Sequence, residues 1–180
     1  MFGVRAYNLF DKRKYALSLL AVILGGNMSS RLFTSIRERR GLAYYIRTSA
    51  DENTDTGYLV TQAGIDHKNI EEVIKLVLEE YKAFKTKKIT QTELKKAKDY
   101  VKGSMVLSLE PSDAQAFFYA EQELVKKEIL KPEEIFKKID RVTINDIKNV
   151  AGDIFKPEKL NLAVIGPFKE KDKFSSLLNI

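Results

Sequence analysis

The chain has 180 residues, is 44% hydrophobic and carries a formal net charge of +6 at pH 7. A chain of this length can bury about two-thirds of the surface that its unfolded form exposes, so residues 1–180 are expected to form one domain. The sequence contains no cysteine, which excludes disulfides, thiolate nucleophiles and cysteine-ligated metals and favours a cytoplasmic location.

The first predicted element is a strand over residues 1–7, which lacks the basic, apolar and small-residue zones of a signal peptide. A strand that begins so abruptly suggests that upstream sequence was removed or belongs to another chain, although a short native strand is an open alternative. A helix is predicted over residues 12–24 from apolar residues at helical spacing. Its apolar run is shorter than the ~20 residues that cross a bilayer, so we expect no membrane span.

A glycine-rich turn separates this helix from a second one that is predicted to run to Arg40. The turn comprises Gly25, Gly26 and Asn27. Ser29 and Ser30 can cap the second helix, because their hydroxyls can accept bonds from its free first-turn N–H groups. Gly41 is the residue best able to take the left-handed conformation that ends a helix. The turn lacks the Gly-Lys-Ser/Thr ending of a phosphate-binding loop, so a tight helix-to-helix turn is favoured.

Two runs of β-branched and aromatic residues, 43–49 and 58–65, flank a loop rich in turn-forming residues. This pattern predicts an antiparallel hairpin. The clearest helical pattern follows Asp66 and consists of one apolar stripe. The stripe comprises Ile70, Val73, Ile74, Val77, Leu78, Tyr81 and Phe84.

Two capping boxes predict later helix starts, one at Thr90 with Glu93 and one at Thr143 with Asp146. Further helices are expected after Pro111 and Pro132, and residues 160–165 form an apolar run that predicts a closing strand. A short C-terminal helix is expected after it. The order β-α-α-β-β, a block of helices and a last strand predicts an α+β fold, with helices on one face of a largely antiparallel sheet.

The sequence lacks the motifs that hydrolytic enzymes commonly use. A catalytic zinc needs three protein ligands and one open position, but His67 is the only histidine and no H-x-x-H, H-E-x-x-H or H-x-x-E-H motif occurs. A Ser-His-Asp arrangement would also depend on His67, and the chain has no G-x-S-x-G motif. We therefore expect no metal site in this chain and no peptidase activity from it alone.

The twenty residues from Gly25 to Tyr44 resemble, without a gap, the signature of the C-terminal half of pitrilysin/insulinase-type zinc peptidases, particularly the processing-peptidase branch. The elements before and after this stretch are similar to that family's lead-in and closing elements, so the resemblance covers nearly the whole chain. It implies a ferredoxin-like layered sandwich and a clamshell that closes around an unfolded peptide. It also implies that a zinc-bearing half with the motif H-x-x-E-H lies upstream or on a separate catalytic chain.

The resemblance places the family's substrate-contacting pair on Arg37 and Tyr44, and a substrate-binding loop on Gly25, Gly26 and Asn27. A guanidinium can donate two fixed bonds to peptide carbonyls, and a phenol can donate one to a developing oxyanion. Taken singly, the arginine could simply be a cation near a helix C-terminus and the tyrosine a half-buried strand aromatic.

Four neighbouring arginines make the choice of Arg37 less specific, because each could equally contact a peptide, a partner domain or solvent. They are Arg31, Arg39, Arg40 and Arg47.

Two further functions are weighed against a substrate-binding half. One is a catalytically inert structural or assembly subunit of the same fold. The other is a basic polyanion binder, which would lose affinity steeply with salt; lysines interleaved with acidic residues and the lack of a nucleic-acid motif argue against it. Exposed edge strands leave a homodimer open.

Overall fold

One antiparallel sheet of four strands forms the centre of the computed structural model, which describes residues 1–86, 89–126, 128–168 and 172–178. The strands are β1 (Phe2–Arg5), β2 (Ala43–Glu52), β3 (Gly57–Ile65) and β4 (Leu160–Leu162). Their order across the sheet is β2-β3-β1-β4. The first strand of the chain therefore lies inside the sheet, and β2 and β4 are its edges.

Helices account for most of the remaining described residues. They are α1 (Lys14–Ala21), α2 (Ile70–Thr86), α3 (Gln91–Ser108), α4 (Ser112–Glu121), α5 (Pro132–Asp140), α6 (Ile144–Ile154) and α7 (Asp172–Ser175). Wider helical turns extend α1 over Val22–Gly26 and α4 over Gln122–Lys126. A further wide helical segment, Phe33–Glu38, is called the Arg37 helix below.

The predicted α+β architecture is confirmed, including the hairpin and both capping boxes. Thr90 and Glu93 satisfy each other's backbone N–H groups at the start of α3, and Thr143 and Asp146 do so at the start of α6. The closing strand is shorter than predicted. The strand ends at Leu162, which pairs with Phe2, and one further bond joins the Ala163 N–H to the Met1 carbonyl at 2.9 Å.

The sheet buries one face against the helices. Alternate residues of neighbouring strands, such as Val4 and Leu59, are almost fully buried, whereas Tyr45, Arg47 and Tyr58 on the other face are exposed. This period of two is what a sheet covered on one face requires. The open face is therefore a surface that the helices of this chain leave uncovered.

A buried hydrogen-bond chain ties α2 to the strands. The Tyr81 hydroxyl donates to Thr61 Oγ1 at 2.8 Å, and Thr61 Oγ1 shares a second 2.8 Å bond with Thr48 Oγ1 on β2. The Tyr81 ring stacks on Phe155, with the ring centroids 4.2 Å apart. Because unpaired hydroxyls are costly in a core, these hydrogen bonds hold β2 in a defined position over α2.

Candidate functional site

The Arg37 helix ends in a glycine turn that leads directly into β2. Gly41 has a φ of 63°, the left-handed conformation that the sequence predicts for it. Its N–H donates to the Arg37 carbonyl at 3.1 Å, and the Leu42 N–H donates to the Ile36 carbonyl at 3.0 Å. With Ile36 fully buried, these bonds fix the end of the helix beside the start of β2.

The start of this helix is capped differently from the prediction. The Ser29 N–H and hydroxyl both donate to Asn27 Oδ1 at 2.9 Å, and the Ser30 hydroxyl donates to the Asn27 carbonyl at 2.6 Å. The two serine hydroxyls thus act as donors and do not accept from the helix. The cause is the extended backbone of Asn27, which places two acceptors beside them.

Of the predicted loop residues, Gly25 has a clear packing role. A Cβ on Gly25 would lie 2.3 Å from Thr48 Oγ1 and 2.8 Å from Thr48 N, so only glycine lets the end of α1 approach β2 this closely. Gly26 is half-buried and its carbonyl accepts a long bond from the Tyr100 hydroxyl at 3.4 Å. Asn27 is also half-buried, so the accessible part of the loop is its second half.

A β-bulge presents Tyr44. Ala43 pairs with Ile65 and Tyr45 pairs with Gly64, so Tyr44 is the extra residue between two paired positions. Tyr44 is 77% exposed. The Tyr45 ring lies against Gly64, where a Cβ would come within 2.4 Å of the ring. Tyr45 is therefore held by the sheet, whereas the Tyr44 hydroxyl has no hydrogen-bond partner among the described residues.

Arg37 is also exposed, and its guanidinium lies over an aromatic ring. Its guanidinium carbon lies 4.8 Å from the centroid of Phe33, one turn earlier on the same helix. Among the described residues its side chain forms no hydrogen bond or ion pair, so the guanidinium donors remain available. The Gly41 turn thus places an unpaired guanidinium at the end of a helix and an unpaired phenol at the start of the following strand.

Arg31, by contrast, is part of the framework. Its Nε donates to Glu93 Oε1 at 2.7 Å, Nη1 lies 4.0 Å from Glu80, and its guanidinium sits 4.6 Å from the Phe84 centroid. Burial alone would raise the pKa of Glu93, but the hydrogen bonds from Arg31 and Thr90 hold it below its usual range. Sequence reasoning did not find this role, because the two acidic partners are distant along the chain.

The three other neighbouring arginines also fall into two groups, one bonded within the fold and two without a partner among the described residues. Arg40 Nη1 donates to the Ser35 carbonyl at 2.7 Å and so completes its own helix end. Arg39 and Arg47 are exposed and have no ion pair within the described part of the chain. With Arg37, they make the surface around the Arg37 helix and the outer face of β2 cationic and rich in donors.

The described residues do not fit a catalytic zinc. They contain no cluster of three or more histidine, cysteine or carboxylate side chains. The His67 side chain is 70% exposed, and its Nδ1 lies 3.4 Å from the Asp66 carboxylate. The sequence has no second histidine that could join it as a metal ligand. Within the same residues, no helix is long and apolar enough to cross a membrane.

Comparison with known proteins gives a consistent assignment. The family model described as the peptidase M16 inactive domain matches residues 1–101. An uncharacterized zinc protease of Streptomyces coelicolor is 34% identical over 161 residues, covering 89% of this chain and 35% of the relative. The uncharacterized zinc protease YmxG of Bacillus subtilis is 30% identical over 165 residues, covering 92% of this chain and 40% of the relative. The chain thus spans about two-fifths or less of these relatives.

Solved structures share the same fold. A conserved protein from Enterococcus faecalis is 30% identical with a TM-score of 0.75, covering 88% of this chain and 37% of that one. A peptidase M16 inactive domain from Pseudomonas fluorescens is 22% identical with a TM-score of 0.77, covering 88% of this chain and 38% of that one. At this lower identity the likeness concerns the fold alone.

Proposed function

From the premise that this chain belongs to the peptidase M16 inactive-domain family, we propose that it is the substrate-contacting, non-catalytic half of a zinc metalloendopeptidase. The catalytic half, with the motif H-x-x-E-H and the zinc, lies on another segment or chain. The substrate is an unfolded peptide held between the two halves. Zinc protease relatives and the lack of a metal-ligand cluster in the described residues support this division of labour.

The single observation that carries the proposal is the exposure of Arg37 and Tyr44 without partners in the described chain. Both lie within the stretch that resembles the family signature. The side chains of Arg31 and Arg40 form hydrogen bonds within the fold, whereas those of Arg37 and Tyr44 remain accessible.

In this proposal Arg37 binds the peptide and Tyr44 acts on the transition state. The guanidinium donates two parallel N–H bonds to peptide carbonyls and fixes the register of the substrate. The Tyr44 hydroxyl donates one bond to the oxygen of the scissile carbonyl, which becomes negatively charged as water attacks. Zinc, when bound by the other half, supplies an acidified water and polarises that carbonyl.

The loop residues support the same function. Gly26 and Asn27 retain accessible surface beside the start of the Arg37 helix, whereas Gly25 is buried against β2. We propose that the peptide backbone passes this accessible part of the loop. Gly25 contributes indirectly, by allowing the loop to lie close to the strand that follows the site.

The test is turnover of the assembled peptidase with Arg37→Ala and Tyr44→Phe. Loss of one oxyanion donor typically lowers kcat by about a hundredfold to a thousandfold, or ~3 kcal/mol, so Tyr44→Phe should show a loss of this order. Arg39→Ala and Tyr45→Phe are matched controls, because they make the same substitutions at neighbouring exposed positions.

Retained folding must accompany the loss, which thermal unfolding of each variant measures. Turnover equal to that of the unmodified enzyme in both test variants would overturn the assignment of these two residues. An assembly that holds zinc and peptide but cuts no peptide would favour the inert structural subunit.

A further inference from the structure

Helix α4 is the one described helix of eight or more residues that contains no buried residue. Its apolar side chains are nevertheless large. Phe117 is 76% exposed, and Leu124, on the wide turn that continues the helix, is 82% exposed. With Ala120 between them, these residues fall at helical spacing on one face and are called the α4 stripe.

The wide turn that continues α4 is tied to the segment that follows it. Gln122 is 1% exposed; its Nε2 donates to the Leu130 carbonyl at 3.1 Å and its Oε1 accepts from the Leu130 N–H at 3.0 Å. Phe118 lines a cavity of about 210 Å³ beneath the helix, together with Met105. Phe118 and Gln122 therefore face the protein, whereas Phe117 and Leu124 are exposed to solvent.

The end of α3 adds exposed apolar surface before the turn into α4. Val106 is 56% exposed and Leu107 is 71% exposed. Exposed single apolar residues are common, but several on two consecutive helices are typical of an interaction surface. The cost of leaving them in water indicates that a partner covers them in the working protein.

Charge narrows the choice of partner. Residues 103–125 contain four acidic residues and no lysine or arginine, and one of the four, Glu121, is paired with Lys126 at 3.4 Å, which leaves three acidic residues along this segment. Two copies that met stripe to stripe would place these carboxylates opposite each other, which is destabilising. A stripe packed on the basic surface of a second copy would be a heterologous contact, which builds rings or open chains of many copies.

We propose that the α4 stripe is a docking surface for the zinc-bearing half of the peptidase. This inference rests on the proposed function and adds the surface by which the two halves associate. The relatives extend well beyond the part that this chain covers, which leaves room for such a half. The partner surface it requires is an apolar groove with basic residues at its rim, complementary to the acidic flanks of α4.

The experiment measures binding of this chain to the H-x-x-E-H half encoded by the same genome, by titration calorimetry. Phe117→Glu and Leu124→Glu should each weaken binding by about a hundredfold, because they place a charge at the desolvated centre of the interface. Ile165→Glu is the matched control, since Ile165 is fully exposed and lies in the segment after β4. All three variants should retain the thermal unfolding temperature of the parent chain.

The outcomes separate the surface from the function. Weaker binding of the two stripe variants, with normal binding by Ile165→Glu, Arg37→Ala and Tyr44→Phe, supports the docking surface. Normal binding by the stripe variants overturns the surface and leaves the proposed function intact. Absence of binding by the parent chain overturns the pairing itself. A parent chain that forms dimers, which the stripe variants convert to monomers while still binding the zinc-bearing half, assigns the stripe to a second copy instead.

Discussion

Replacing Glu93 with glutamine removes a charge that serves two structures at once. Glu93 Oε1 accepts from Arg31 Nε at 2.7 Å, while Oε2 accepts from the Thr90 N–H at 2.8 Å and the Thr90 hydroxyl at 2.9 Å. The carboxylate thereby caps α3 and holds Arg31, which precedes the Arg37 helix. Glutamine has the same size but turns an NH2 group towards one of these two sets of donors.

The expected cost follows from these bonds. A hydrogen bond to a charged group contributes about 1.5–3 kcal/mol, and the partly exposed positions of both side chains place this pair near the lower end. Together with a weakened cap, we expect Glu93→Gln to lower the free energy of unfolding by about 2 kcal/mol. For a chain of this size, that corresponds to a fall of about 4–8 °C in the unfolding temperature.

Asp146→Asn provides the matched control, because Asp146 and Thr143 form the same box at the start of α6 without an arginine. Urea unfolding of both variants at pH 7 should show a loss of about 1 kcal/mol or less for Asp146→Asn. The difference between the two variants measures the Arg31 contact. Equal losses would refute the reasoning, since Arg31 would then contribute nothing through Glu93.

The pH dependence gives an independent check. Because the pKa of Glu93 is lowered in the folded state, its contribution is present above the unfolded pKa of about 4.3 and is lost as the pH falls through the folded value. The difference in the free energy of unfolding between the parent chain and Glu93→Gln should therefore become smaller below about pH 4. A gap that stays constant into acid would show that the charge of Glu93 is not the source of the stability.

Two further predictions concern stability. Gly25→Ala should lower the free energy of unfolding by about 1–3 kcal/mol through its clash with β2, whereas Gly103→Ala, inside α3 with open space at its Cβ, should raise it by up to about 1 kcal/mol; urea titration compares them. Asp153→Asn should destabilise the fold at neutral pH, because hydrogen bonds from Tyr7 and then Lys159 lower the Asp153 pKa. The difference in unfolding temperature between Asp153→Asn and the parent chain should become smaller below about pH 4, and a larger difference in acid would contradict this.

Features set by neighbouring residues could be predicted from the sequence. The capping boxes at Thr90 and Thr143 and the left-handed Gly41 each depend on contacts within a few residues, and the structure contains all three. The length of the last strand could not be predicted, because it depends on pairing with β1 at the other end of the sequence.

The candidate site shows the same limit. The positions of Arg37 and Tyr44 follow from the signature stretch, but the bulge that presents Tyr44 depends on the pairing of β2 with β3. Arg31 could not be distinguished from its neighbours by sequence, since its partner Glu93 lies on a different helix. Nor did the helical spacing of Phe117 and Leu124 reveal that their face is uncovered, because the periodicity of a helix does not say which side meets the core.

The position of β1 inside the sheet affects how the protein is made. The ribosome releases β1 before β2 and β3, and β4 only after α6. At ~5–20 residues per second, the interval between β3 and β4 lasts on the order of ten seconds. Throughout that interval one side of β1 has backbone groups without a strand partner, the condition under which nascent chains pair with one another. Slower translation of residues 66–159 should therefore lower the yield of folded protein.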